Sequence, residues 1–378
     1  MATFDPAINT FVSADGHVVE PADLWTTRMD KRFRDRAPRV ESRPDNDYYM
    51  IDGLPPFPVG LEGAMIDDKV RQGHVDTPMG RRHADTRPGA WDPNARLADQ
   101  DLDHLRAEVI YPGIFGLMFS NLDDAEYQRE CIRVYNDWLS EFCAVAPKRL
   151  LGAGLLPMAG PLEWTITEAE RVAKKGLIQV LIPCEMGDRS YSSCADYERL
   201  WAALQDSGLS VAAHSGVTTG EPFSRKLKRM GVALMHTDGK VFGPQRALVD
   251  LLWAGVPARY PKLKIVIVEG GIGWIPAMLN HMDHFWKDHH TWVEPKLDEP
   301  PSFYFRRQFW ATFEDDRVGV LTREFMGVDR LMWGADYPHT EGVWPRSREQ
   351  IAKDFVGVPE AEVYQMVVDN AARLYGIA

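Results

Sequence analysis

The sequence predicts an α/β chain closed as a (β/α)8 TIM barrel, one domain over residues 1–378 with a subdomain inserted after the first strand. Three observations lead there. Eight short apolar runs alternate with helical stretches, the pattern of a parallel sheet covered by helices. No Gly-rich phosphate fingerprint follows the first run, which disfavours an open doubly wound sheet. Acids and imidazoles recur at the run ends, where such barrels carry their chemistry.

The first run, Phe11-Val12-Ser13-Ala14, ends in Asp15-Gly16-His17. Residues i and i+2 of an extended chain share a face, so Asp15 and His17 project together as an oxygen and a nitrogen donor. Residues 22–95 then lack helical period and carry turn signals at Asp52-Gly53, Pro55-Pro56 and Gly89-Ala90-Trp91-Asp92-Pro93. A structureless loop of that length is unusual in a compact domain, so it reads as an inserted lid with short strands, Tyr48–Ile51 among them. Its Arg71, Arg81, Arg82 and Arg87 are candidates for gripping an anionic substrate, with solvated surface arginines as the plainer reading.

From residue 97 the alternation is regular. Helical stretches near 97–105, 123–145, 161–175, 197–207, 245–258, 275–288 and 360–375 separate strands near 107–113, 150–157, 177–183, 209–216, 263–271, 309–316 and 331–339. The strand ends present His214 on the fifth, Glu269 on the sixth, Glu314 on the seventh and Asp336 on the eighth, with His339 three residues on. Five of eight strand ends thus carry metal-capable side chains, a stronger signal than any one of them. Glu314 in Glu314-Asp315-Asp316 also reads as charge at a helix N-terminus. His281, His284, His289 and His290 lack a matching carboxylate pattern and read as a solvated helix; His236 is a weak candidate for substrate contact.

Composition narrows the partners. With 45% apolar and 26% charged residues the chain is an ordinary globular one. A net charge of −12 argues against nucleic acid, and no apolar run approaches membrane-spanning length. Cys131, Cys143, Cys184 and Cys194 show no CxxC spacing and read as reduced thiols. Residues Met1–Pro6 lack the features of a signal peptide, so the expected location is cytoplasmic.

Asp15-Gly16-His17, His214 and Trp333-Gly334-Ala335-Asp336-Tyr337-Pro338 resemble the amidohydrolase superfamily. The nearest branch is the amidohydrolase-related group that includes the aminocarboxymuconate-semialdehyde decarboxylases. The resemblance implies a metal held by Asp15, His17, His214 and Asp336, and the family's tendency to dimerise implies a homodimer. Two departures stand out: Asp15 replaces the first histidine of the usual His-x-His, and Glu269-Gly270-Gly271 replaces the catalytic histidine of the sixth strand. With Gly271-Ile272-Gly273-Trp274-Ile275-Pro276, Phe313-Glu314-Asp315-Asp316 and Asp336-Tyr337-Pro338-His339, these replacements are similar to a subgroup of TIM-barrel non-haem diiron monooxygenases that favour CoA-linked substrates.

Two chemistries therefore stand open. One is a hydrolase-type enzyme in which metal-activated water acts on a small organic acid or thioester, Asp336 or Glu269 taking the proton and His339 shuttling it. The other adds Glu269 as ligand to a second ion, making a diiron monooxygenase acting on a CoA-linked or carboxylate-bearing substrate. Imidazole with carboxylate suits iron, zinc or manganese alike, as one ion or two. A catalytically inactive binding scaffold fits poorly with an intact ligand set.

Overall fold

The structure, a computed structural model, describes residues 10–62, 80–192, 197–219 and 223–377. Eight strands form the barrel: β1 (Phe11–Ser13), β2 (Leu105–Ile110), β3 (Leu150–Leu155), β4 (Gln179–Ile182), β5 (Ser210–His214), β6 (Lys264–Val268), β7 (Phe309–Phe313) and β8 (Leu331–Trp333). They lie in sequence order, every neighbouring pair parallel. The ends of the sheet meet: Ala14 N donates to Trp333 O at 2.9 Å, Asp336 N to Asp15 O at 2.9 Å, and Gly16 bridges Tyr337. The chain is therefore a (β/α)8 TIM barrel.

Strands β2 to β5 are buried along almost their whole length, as parallel strands covered on both faces must be. The covering helices are one-sided. In α2 (Ala125–Ala144), which follows α1 (Pro93–Leu102), the buried positions include Tyr127, Cys131, Val134, Tyr135, Trp138 and Phe142. That spacing puts them on one stripe facing the barrel. Asp124 starts this helix by accepting from Tyr127 N at 3.1 Å. Next come α3 (Leu162–Lys174) and α4 (Glu198–Ser207), the latter closed by Gly208 at φ 74°.

The expected single helix over 245–258 is two, α5 (Gly243–Trp253) and a short turn Val256–Arg259, because Gly255 takes φ 67°. The eighth strand ends at Trp333, short of the expected 339. Gly334 passes so close to Asp15 that a Cβ there would collide with that side chain, and Asp336 turns the chain at φ 53°.

Between β1 and α1 a three-stranded antiparallel sheet (Arg39–Ser42, Asp47–Met50, Phe57–Pro58) stands beside the barrel mouth. Arg71 lies outside the described residues. Arg82 is paired with Asp47 at 2.9 Å and Arg87 with Asp99 at 2.5 Å. Arg82 thus ties two parts of the insertion together, and Arg87 ties the insertion to α1. Cys131, Cys143 and Cys184 are buried free thiols; Cys194 is outside the described residues. Among the described residues no helix is long and apolar enough to cross a membrane.

Candidate metal centre

Asp15 and His17 leave β1 on a segment that cannot shift easily. A Cβ at Gly16 would strike the Glu108 carboxylate and crowd Arg96, so glycine is needed between the two donors. Arg96, from α1, is fully buried. It pairs with Glu108 at 2.8 Å, donates to His17 O at 2.8 Å and lies over the Tyr337 ring at 4.0 Å. Tyr337 donates to Asp99 at 2.7 Å, and Asp99 is held by Arg87. One helix thus braces the backbone beneath both the β1 and the β8 donors.

The imidazoles are oriented by backbone carbonyls. His17 Nδ1 lies 2.7 Å from Pro112 O, and His214 Nδ1 lies 2.8 Å from Ser215 O. A carbonyl can only accept, so each Nδ1 carries the proton and each Nε2 presents a lone pair. His17 Nε2 stands 3.6 Å from Asp15 Oδ1 and 3.5 Å from Asp336 Oδ1; His214 Nε2 stands 3.7 Å from Asp15 Oδ1. Asp15, His17, His214 and Asp336 are all fully buried.

Asp15 Oδ1, His17 Nε2, His214 Nε2 and Asp336 Oδ2 have no hydrogen-bond partner among the described residues. Leaving buried polar atoms unpaired costs about 1–3 kcal/mol each. Those of Asp15, His17 and His214 lie within 4.8 Å of one another and call for a common partner. Donors about 2.1 Å from a tetrahedral ion are about 3.4 Å from one another, and the 3.6 and 3.7 Å from Asp15 Oδ1 to His17 Nε2 and His214 Nε2 match. The arrangement of Asp15, His17 and His214 fits a divalent metal held by two imidazoles and a carboxylate, with Asp336 beside His17. Ligand atoms of His17, Asp336 and His339 also converge within 4.8 Å.

Without a cation the cluster is electrostatically uneasy. Burial pushes Asp15 up to about 6 and raises Asp336, while burial and the neighbouring His339 and His214 hold His17 well below its usual range. For His214 burial pulls downward, but Asp15 and Glu269 outweigh it. His339 is likewise opposed by burial, yet Asp336, 2.9 Å from its Nδ1, and Glu269 lift it to about 10.

Glu269 follows β6 at φ 58°, a left-handed conformation that costs a non-glycine residue on the order of 1–3 kcal/mol and is typical of functional positions. Its N–H donates to Thr312 Oγ1 at 2.9 Å. Its carboxylate accepts from Ser215 Oγ at 2.5 Å and faces Lys240 Nζ at 3.1 Å. Glu269 therefore stands beside the converging donors, both oxygens already engaged. Burial works to raise its pKa, but Lys240 and the imidazoles hold it low.

Glu314, read from sequence as helix-end charge, is buried on the same floor, 3.9 Å from Lys240; Asp316 caps the following helix by accepting from Gly319 N at 2.8 Å. Lys240, Ser215 and Thr312 escaped the sequence reading. Only the adjacency of Ser215 to His214 could have flagged one of them.

Above the floor a cleft encloses about 630 Å³, its open mouth included. Phe57, Leu61, Ile114, Leu117 and Met235 make its apolar wall, and Lys240, Glu269, His339, His236 and Glu341 its polar one. His236 pairs with Glu341 at 3.2 Å. His281 and His284 lie exposed on α6 (Ile275–His289), remote in role from this site.

A buried set of metal donors at the C-terminal ends of barrel strands defines the class, and the comparisons agree. The amidohydrolase family profile matches residues 16–377, and the chain belongs to that family. It is therefore an enzyme of the amidohydrolase superfamily, similar to the aminocarboxymuconate-semialdehyde decarboxylase branch. The 2-amino-3-carboxymuconate-6-semialdehyde decarboxylase of Dictyostelium discoideum is 23% identical over 260 residues, 67% of this chain and 68% of that protein. An amidohydrolase from Mycobacterium avium subsp. paratuberculosis K-10 superposes with a TM-score of 0.77 at 22% identity, covering 98% of this chain and 100% of that one. The 5-carboxyvanillate decarboxylase of Novosphingobium aromaticivorans DSM 12444, solved with bound manganese, superposes at 0.68 with 15% identity, covering 100% and 99%.

Proposed function

We propose that the chain is a metal-dependent hydrolase-type enzyme acting on a small organic acid or thioester. The observation that carries this is the convergence of three unpaired, fully buried donor atoms, of Asp15, His17 and His214, with Asp336 beside His17. A divalent ion held there supplies a Lewis acid that polarises a substrate carbonyl and brings the pKa of water toward neutrality. Manganese is favoured by the structural relative that contains it, and zinc fits the same spacing.

The chain's own groups do the proton work. Glu269, kept ionised by Lys240, is the base at Oε1, and Ser215 fixes its other oxygen. His339, charged through Asp336, is an acid that donates toward a leaving group. The apolar wall takes the body of the substrate while the polar wall takes its acyl end. Glu269→Gln is expected to keep the metal and slow turnover by about 10²- to 10⁴-fold.

Decarboxylation is the second reading, favoured by the curated relative, a decarboxylase over two-thirds of this chain. There His339 would deliver its proton to the carbon that loses CO2. The test is protein purified without chelators, assayed on a panel of esters, thioesters and aromatic carboxylic acids. Chelator-sensitive hydrolysis restored by manganese or zinc is the expected result. Metal-dependent CO2 release would transfer the assignment to the second reading, and substrate-dependent oxygen uptake would sink both.

A further inference from the structure

We infer that Lys240 occupies the position of a second metal ion, so that the centre holds one divalent ion per chain. The inference rests on the metal reading above and fixes its stoichiometry.

Lysine side chains usually run their ammonium out to water. Lys240 does the reverse. Its Nζ lies 3.1 Å from Glu269 Oε1, 3.9 Å from Glu314 Oε2 and 3.9 Å from Asp336 Oδ2. Those three acids follow β6, β7 and β8, and Glu269 is the ligand that the two-ion reading gives to a second ion. An ammonium has three donors and no acceptor, which suits it to a space walled by three carboxylates.

Its placement is built rather than incidental. Lys240 sits within a π-helical turn, Asp238–Phe242, of the kind that often marks functional positions. Lys226 pairs with Asp238 at 2.9 Å at the start of that turn. Gly270 packs under it with Pro244 so near that a Cβ would collide with the proline ring.

Charge balance points the same way. Lys240 and one divalent ion bring three positive charges to a space whose near carboxylates are Asp15, Glu269 and Asp336, burial holding the Glu314 carboxyl well above its usual range. A second divalent ion beside Lys240 would bring five, leaving surplus positive charge in a buried space, which is costly. A two-ion oxygen-activating centre at these residues would need Lys240 withdrawn.

The experiment counts ions. Full-length protein is saturated with Mn2+, desalted and measured by elemental analysis, with the Mn2+ electron paramagnetic resonance spectrum recorded alongside. Wild type is expected to hold one ion per chain with the six-line signal of an isolated ion, and Lys240→Arg to do the same. Lys240→Met is expected to take up two, with the broadened signal of a coupled pair. Two ions in wild type, or one in a folded Lys240→Met, overturns the role of Lys240 and leaves the hydrolytic reading standing. No ion in wild type overturns both.

Discussion

Two groups of buried acids border the same cleft: Glu20 with Glu62 beside the insertion, and Asp15, Glu269, Glu314 and Asp336 on the barrel floor. Among the described residues no cation pairs with the first group. Glu62 accepts from the Tyr49 hydroxyl and from Ile114 N at 3.1 Å, and Glu20 accepts from Gly113 N at 3.1 Å and Gly116 N at 3.3 Å. A Cβ at Gly113 would strike both carboxylates, so they face each other closely. Burial and Glu62 push Glu20 up to about 8, and burial raises Glu62. The floor group is given Lys240 and two charged or chargeable imidazoles, and still leaves donor atoms unpaired. The neutral pair is met by hydroxyl and amide donors; on the floor Lys240 holds Glu269 low, while burial raises Asp15, Glu314 and Asp336.

The sharpest break in that contrast is Asp336→Ala against Glu62→Gln. Even partners behind the ligands cost 10–100-fold in metal affinity, so losing a ligand is expected to weaken Mn2+ binding by at least about 100-fold, read by titration. Glu62→Gln is expected to leave affinity within about 2-fold, since it lies outside the converging donors. Arg96→Ala calibrates a third buried acid, Glu108, which has one cation of its own. Stranding its carboxylate is expected to cost roughly 3–5 kcal/mol by denaturant unfolding.

A smaller effect belongs to the neutral group. Tyr49→Phe removes the hydroxyl that Glu62 accepts from and is expected to cost about 1–3 kcal/mol. The smallest is a pH effect. Glu20 titrates at about 8 in the fold against a reference value of 4.5. Between those values the unfolded chain has released a proton that the fold retains, so this group's contribution is full below 4.5 and is lost as pH rises to 8. A glutamine cannot ionise and can donate to Glu62. Glu20→Gln is therefore expected to match wild type near pH 4 and to melt about 2–4 °C higher at pH 8 in thermal scans. No widening of the gap with pH would refute the neutral-pair account.

The barrel was legible because a parallel strand buried on both faces must be a short apolar run, and all eight runs coincide with strands. The donors were legible for a related reason: Asp15, His17, His214 and Asp336 each sit where a run ends, and a carboxylate or imidazole there has few other uses. Lys240 was not. It lies in the long connection between β5 and β6, and nothing local says that this segment folds back over the mouth. The ion pairs of Arg82 and Arg87 were hidden for the mirror reason, since Asp47 and Asp99 are brought to them only by folding. Glu314 shared its segment with Asp316, and only the fold separates the buried acid from the capping one.

The barrel closes where Asp336 N meets Asp15 O, and His17 Nε2 stands 3.6 Å from one side chain and 3.5 Å from the other. An ion gripped there is a rivet across the join. During biosynthesis such a rivet could not be set until the last strand had left the ribosome, so metal binding there would complete the fold instead of nucleating it. Stripping the ion would loosen the molecule first along that join, at the pairing of its earliest and latest strands.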